Sequence, residues 1–165
     1  MCAVSHAGAR PELQRAEAKK IVGLATRTTN TAESDPSTAK IPKLWGQFSQ
    51  ERCAKRLEDV GAFGPTVAVY SSYESDVNGG YQLLVGRQVR NSPSVSAPLQ
   101  IVSTAQGSYL VFRCSGPLPQ AIVDGWREVW AYFARDYAPA RAYSFDFEIY
   151  PDAGPVEIWV AVRDR

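Results

Sequence analysis

The chain has 165 residues, enough for one domain of ordinary size, and its apolar fraction of 45% is sufficient to build a core. Its 18 basic and 17 acidic side chains nearly cancel, which argues against direct nucleic-acid binding and leaves no polybasic segment for a membrane surface. No apolar run approaches the roughly 18 residues that are needed to span a bilayer, so we expect no membrane association.

Residues 1–18 are small, polar and charged, and we predict a flexible leader there. The only histidine, His6, lies in this segment, which disfavours histidine-based catalysis and a histidine-ligated metal. The cysteines are odd in number and widely spaced, as expected of free thiols in a reducing compartment: they are Cys2, Cys53 and Cys114. We therefore expect a cytoplasmic protein with neither a metal nor an organic cofactor.

The first half of the chain predicts a strand, a helix and two further strands. The segment "KKIVGLATRTTN" is rich in β-branched residues, and an apolar stripe from Ile41 predicts a helix to about Asp59, with Gly61 as its stop. Next come the strand "PTVAVYSSYESD", a hairpin turn at Asn78-Gly79 and the returning strand "YQLLVGRQVR".

The second half repeats this order after a polar loop that is rich in serine and proline. Strand-like runs in "LQIVSTAQGSYLVFRCSG" precede the helix "PLPQAIVDGWREVWAYFARDYAP", and the segment "RAYSFDFEIYPDAGPVEIWVAVR" supplies two antiparallel strands. Trp45 precedes Tyr70 by 25 residues, and Trp126 precedes Tyr150 by 24. We interpret the chain as an internal duplication.

The predicted fold is α+β, in a single domain over residues 19–165. Two strand–helix–strand–strand units, at about residues 19–90 and 99–163, form one antiparallel sheet with the helices on one face. We expect a ligand groove between the halves, on the face away from the helices.

Several motifs in this order resemble the effector-binding domains of the AraC type, also called GyrI-like, and in particular the stand-alone integron-cassette effector-binding proteins. They are "IPKLWGQF", "VAVYSSYESD..GGY..LVG", "GSYLVF", "GW..VW" and "DFEIY", preceded by Gly23, Arg27, Thr28, Asn30 and Glu33. The resemblance covers about Ile21 to Arg163. It implies the duplicated fold and an aromatic groove in which a glutamate meets lipophilic cations.

The resemblance also implies which residues form the site. The glutamate lies in the strand that matches "DFEIY", so its role falls on Glu148. The aromatic ligand-binding residues fall on Trp45, Tyr70 and Phe112, and also on Trp126 and Trp159. In transcription regulators such a domain is fused to a helix-turn-helix module; here we expect only a short leader outside the duplication and no direct binding to DNA.

Two interpretations of Glu148 stay open on the residues alone. Alternation along the strand places Asp146, Glu148 and Tyr150 on one face and Phe145, Phe147 and Ile149 on the other. We expect the apolar face to pack on the helices, so Glu148 would face either water or the groove. In the groove, an organic cation would compensate the desolvated carboxylate through charge and ring contacts.

We accordingly predict a protein that binds a small, lipophilic cationic aromatic compound. Two alternatives remain, and the first is an enzyme in which Glu148 serves as a general base that opens a strained electrophilic ring. The second is a protein-interaction module of the gyrase-inhibitor kind. A protein partner or a homodimer also stays open.

Overall fold

An antiparallel sheet of eight strands is the frame of the computed structural model, which describes residues 10–164. The strands are β1 Glu12–Ala16, β2 Lys20–Thr28, β3 Phe63–Ser71, β4 Tyr81–Val89, β5 Gln100–Ser103, β6 Gly107–Cys114, β7 Asp146–Tyr150 and β8 Val156–Val162. The helices are α1 Asn30–Glu33, α2 Ile41–Phe48, α3 Glu51–Asp59 and α4 Gln120–Phe133. The predicted α+β class is therefore confirmed.

The strand order is β1-β6-β8-β7-β3-β4-β2-β5, and it shows the internal duplication directly. Read outward from the centre, one half contributes β3, β4 and β2, and the other contributes β7, β8 and β6. The halves join where β3 pairs with β7, and Ala68 lies opposite Glu148 in that pairing. The centre of the sheet is thus a pseudo-two-fold axis.

The outermost strands are exchanged between the halves. Strand β1 precedes the first half but pairs with β6, and β5 precedes the second half but pairs with β2. The two crossing connections meet at Lys19 and Thr104, where the Thr104 amide donates to the Lys19 carbonyl at 2.7 Å. Each half therefore completes the sheet of the other.

Strand β1 corrects the prediction of a flexible leader over residues 1–18. Residues 12–16 are ordered by backbone pairing with β6, although their side chains are largely exposed and give no apolar alternation that sequence reasoning could detect. Residues 1–9 of the predicted leader lie outside the described residues.

The predicted helix from Ile41 to Asp59 is divided in two. Gln50 has extended backbone dihedrals, and the Ser49 hydroxyl donates back to the Trp45 carbonyl at 2.8 Å, so α2 ends before α3 begins. The apolar stripe still packs on one face of the sheet, together with β2, β3 and β4. Gly61, at a φ of +80°, ends the segment as predicted. No helix in residues 10–164 is long and apolar enough to cross a membrane.

Both faces of the sheet are buried, and this corrects the predicted position of the groove. Helices α2, α3 and α4 cover one face, where they form two apolar clusters, one in each half. On the other face, strands from both ends of the sheet contribute to a third cluster around Tyr109, Phe147 and Trp159. The face away from the helices is therefore a packed core rather than a ligand groove.

Strands β2 and β4 approach each other closely at one position. Gly23 and Gly86 lie opposite each other in the pairing of the two strands. A Cβ on either residue would collide with backbone atoms of the partner strand, so glycine is required at both positions.

Candidate functional site

A cavity of about 550 Å³ lies on the helix-covered face, between α2 and α4 and above the junction of the two halves. Eight of its nineteen lining residues are aromatic, and its walls come from α1, α2 and α4, from the central strands and from the connecting loops. The lining residues are Asn30, Glu33, Ser34, Ile41, Trp45, Tyr70, Tyr73, Asp76, Val77, Tyr81, Ile122, Val123, Trp126, Arg127, Trp130, Arg141, Tyr143, Glu148 and Tyr150.

Glu148 lies at the base of this cavity and is only 2% exposed. Its Oε1 accepts a hydrogen bond from the Tyr150 hydroxyl at 2.6 Å. Its Oε2 accepts two, from Trp126 Nε1 at 2.6 Å and from the Tyr70 hydroxyl at 2.9 Å. An indole nitrogen can only donate, so Oε2 is held as an acceptor. Three aromatic donors thus fix the carboxylate from both halves of the chain.

The carboxylate of Glu148 is hydrogen-bonded but has no cationic partner among the described residues. Burial raises the pKa of this carboxyl, while the bonds from Tyr150, Trp126 and Tyr70 act in the opposite direction. Burial first, and then the neighbouring carboxylate, raise the pKa of the Tyr70 and Tyr150 hydroxyls, which therefore stay protonated donors at neutral pH. A buried carboxylate without a countercharge is a costly arrangement.

The aromatic walls follow the pseudo-two-fold axis. Trp45 of α2 packs edge-on against Tyr150 with ring centroids 5.0 Å apart, and Trp126 of α4 packs edge-on against Tyr70 at 5.2 Å. Each helix tryptophan therefore contacts the strand tyrosine of the other half. The charge breaks this symmetry, because Ala68 occupies the position equivalent to Glu148.

A second polar cluster adjoins the carboxylate along β7. Arg141 Nη2 donates to Asp146 Oδ2 at 2.8 Å, and the Tyr73 hydroxyl donates to the same oxygen at 2.6 Å. The Ala161 amide of β8 donates to Asp146 Oδ1 at 2.9 Å. The Arg141 and Asp146 side chains are only 7% and 0% exposed. Arg141 and Tyr73 both line the cavity, so this is a buried ion pair at its wall.

Four of the six predicted ligand-binding residues come together in the cavity: Glu148, Tyr70, Trp45 and Trp126. The expectation that Glu148 and Tyr70 would lie on the face away from the helices is wrong, since both lie on the helix-covered face. The gap between α2 and α4 leaves this part of the face open.

Phe112 and Trp159, the other two candidates, do not line the cavity. Phe112 packs beneath α4 against Tyr132 and Phe133. Trp159 lies on the opposite face of the sheet, stacked on Phe147 with centroids 5.4 Å apart and an interplanar angle of 17°. Both pack in the core: Phe112 lies under α4 on the cavity's own face but outside the cavity, and Trp159 lies on the opposite face.

Sequence reasoning missed most of the tyrosines in the site. Tyr150 shares the strand face of Glu148 and matches Tyr70 in the duplication, so both signals pointed to it. Tyr73, close to the predicted hairpin turn, also lines the cavity, and so do Tyr81, Tyr143 and Trp130. Trp130 follows Trp126 by four residues on the apolar stripe of α4, so it did carry a periodic signal, whereas Tyr143 lies in the loop before β7 and carried none.

Glu33 braces the start of α2. Its carboxylate accepts from the Lys40 and Ile41 amides at 2.9 and 3.2 Å and so satisfies donors at the start of α2. Asn30 Nδ2 donates to the Val77 carbonyl at 3.0 Å and ties the β3–β4 loop to the cavity rim. Over residues 10–164, no group of three His, Cys, Asp or Glu side chains is placed to hold a metal ion.

Comparison with known proteins agrees with this architecture. A family model described as "Integron-associated effector binding protein" matches residues 12–162. An integron cassette protein from the mobile metagenome of Vibrio cholerae is 32% identical, with a TM-score of 0.79 over 94% of this chain and 97% of that one. YobU of Bacillus subtilis (strain 168) is 28% identical over 152 residues, which are 88% of this chain and 92% of YobU.

A third relative was solved with a ligand. SAV2435, in a structure bound to tetraphenylphosphonium, is 23% identical and shares the fold with a TM-score of 0.72 over 93% of both chains. The family model covers nearly the whole of the described chain, and the cassette protein is similar over almost its full length. The chain belongs to the family of integron-associated effector binding proteins.

Proposed function

We propose that this protein binds a small lipophilic cation with delocalised charge in the cavity between α2 and α4. The observation behind the proposal is Glu148, a carboxylate that is 2% exposed, held by three aromatic donors and without a cationic partner among the described residues. A bound cation would supply the missing countercharge.

The walls of the cavity suit such a ligand. Ring faces attract cations, and each contact contributes roughly 0.5–2 kcal/mol, more where water is excluded. A delocalised organic cation loses little hydration on entry, and its apolar body gains from burial. The volume of about 550 Å³ falls within the range that is usual for small-molecule sites. SAV2435, with the same fold, is known bound to tetraphenylphosphonium, a cation of this class.

We also place the protein in the cytoplasm. Cys53 and Cys114, both buried, are free thiols, which suits a reducing compartment.

The test uses two ions of the same shape and opposite charge, tetraphenylphosphonium and tetraphenylborate. The purified protein is titrated with each while tryptophan fluorescence is followed, since Trp45 and Trp126 line the cavity. We expect saturable quenching by the cation and none by the anion. In Glu148→Gln, which keeps the shape and removes the charge, we expect cation affinity to fall about 10- to 100-fold, as for loss of a charge-assisted contact.

Two results would contradict the proposal: equal binding of both ions, or an unchanged cation affinity in Glu148→Gln. After the titration, the ligand is recovered from the protein and its mass is measured by mass spectrometry. An intact cation supports binding alone, whereas a hydrolysed electrophilic ligand whose turnover depends on Glu148 would favour the enzyme alternative. Absence of binding to either ion would direct attention to a protein partner.

A further inference from the structure

Arg141 is a buried cavity residue whose donors are only partly used. Its side chain is 7% exposed, and its single side-chain hydrogen bond to the described residues runs from Nη2 to Asp146. Nε is buried and has no hydrogen-bond partner among the described residues. A guanidinium has five N–H donors, so most donors of Arg141 make no hydrogen bond to the described residues.

The guanidinium is held in a defined position. Its central carbon lies 4.4 Å from the centroid of the Tyr143 ring, and the Ala142 amide donates to the Ala161 carbonyl of β8 at 2.9 Å. Tyr143 itself has a φ of +51°, in the left-handed region that residues other than glycine rarely adopt, and so does Ser72, which precedes Tyr73. Backbone strain of this kind commonly accompanies a binding site, because a side chain is being aimed.

We propose that Arg141 forms a second polar subsite of the cavity, which accepts a neutral hydrogen-bond acceptor, such as a carbonyl oxygen, on the bound cation. The inference rests on the proposed function. Asp146 already balances the charge of Arg141, so the remaining donors suit an uncharged oxygen better than a carboxylate. The ligand class is therefore a lipophilic cation with a carbonyl group.

The carboxylates that anchor the two subsites are neighbours on β7. Asp146, which holds Arg141, and Glu148 are two residues apart on β7 and point to the same side, so their Cα atoms are about 6.6 Å apart. A carbonyl attached to the cation by a short chain can therefore meet Arg141 while the charged centre lies against Glu148. A purely structural ion pair would make no distinction between ligands that differ only in this oxygen.

The experiment uses two triphenylphosphonium cations of matched shape. In one, a propyl chain on phosphorus ends in an acetyl group; in the other, an isopropyl group replaces the acetyl. Affinities for both cations are measured in the parent protein and in two cavity variants. The double variant Arg141→Met/Asp146→Asn removes both charges of the pair together. Arg141→Lys keeps the positive charge but loses the planar guanidinium with its paired donors. The control is Arg15→Met/Asp164→Asn, an exposed pair 3.6 Å apart on the sheet edge that takes no part in the cavity.

The measured quantity is the affinity ratio of the acetyl to the isopropyl cation. We expect this ratio to fall about tenfold in the double variant, to fall in Arg141→Lys, and to stay at the parent value in the control. An unchanged ratio in either cavity variant, each checked for folding by near-ultraviolet circular dichroism, would overturn the subsite. The isopropyl cation separates the two proposals: if it binds in a manner that depends on Glu148 while the ratio does not change, only the subsite fails. If neither cation binds the parent, both proposals fail.

Discussion

Removal of the Tyr150 hydroxyl tests how the buried carboxylate is held. In Tyr150→Phe, Oε1 of Glu148 loses the hydrogen bond of 2.6 Å from Tyr150, its only one from the described residues. In Tyr70→Phe, Oε2 loses a bond of 2.9 Å but keeps the one of 2.6 Å from Trp126. Both substitutions keep the aromatic ring, so the packing of Tyr150 on Trp45 is preserved.

The two variants should differ in stability at neutral pH. A hydrogen bond to a charged group contributes roughly 1.5–3 kcal/mol, and an O–H···O⁻ distance near 2.6 Å is typical of the strong ones. We expect Tyr150→Phe to lower the free energy of unfolding by about 2 kcal/mol, because it leaves a buried charged oxygen unpaired. Tyr70→Phe should cost about 1 kcal/mol, since Oε2 retains a partner.

The assay is urea unfolding, followed by circular dichroism, at neutral and at mildly acid pH. Burial raises the pKa of Glu148 in the folded state, so the folded protein binds more protons there than the unfolded chain. Tyr150→Phe lowers the free energy of unfolding because it leaves the ionised Glu148 carboxylate with an unpaired oxygen. This loss of stability should therefore shrink as the pH falls through the raised pKa of Glu148. An equal or greater cost for Tyr70→Phe, or a difference from the parent that does not change with pH, would refute the reasoning.

Three further predictions concern the ligand and the sheet. Cation affinity should fall by up to about tenfold per pH unit as the pH drops below the raised pKa of Glu148, because protonation removes the countercharge; fluorescence titration would show this, and a flat profile would contradict it. Trp126→Phe, which removes a donor to Glu148, should change cation affinity, whereas Trp159→Phe should not; the reverse order in the same titration would mean that the binding site is on the other face. Gly23→Ala should destabilise the protein by about 1–3 kcal/mol, because the added Cβ collides with the partner strand. Gly46→Ala, with open space around its Cβ, should stabilise helix α2 by about 0.5–1 kcal/mol. Equal effects of the two substitutions in urea unfolding would contradict the required glycine at position 23.

The duplication could be predicted because it depends on local patterns, whereas the role of Glu148 followed only from the family resemblance. The order of elements, the spacing of each helix tryptophan from its strand tyrosine, and the alternation around Glu148 are all periodic features of the chain. Such patterns indicate which side chains share a face. The resemblance to effector-binding domains then selected Glu148, Tyr70, Trp45 and Trp126 as ligand-binding residues, and these four do line one cavity.

The choice of face could not be made in this way. Alternation separates Phe147 from Glu148 but does not say which of them faces the helices. The rule that the apolar side faces the helices fails in a sheet with two buried faces. Trp159 was misplaced for this reason. Strand β1 was missed because backbone pairing with β6 orders it, and backbone pairing leaves no signature in its side chains.

The pairing of Ala68 with Glu148 at the centre of the sheet has a consequence for how such a site can arise. If two identical copies of one half assembled as a symmetric dimer, any residue at this position would face its own copy across the axis. A glutamate would then confront a second glutamate on the neighbouring strand, with Cβ atoms about 4.5–5.5 Å apart, and the two carboxylates could not both ionise at little cost. Joining the halves in one polypeptide lets the two positions diverge, so that a symmetric aromatic enclosure can hold a single negative charge.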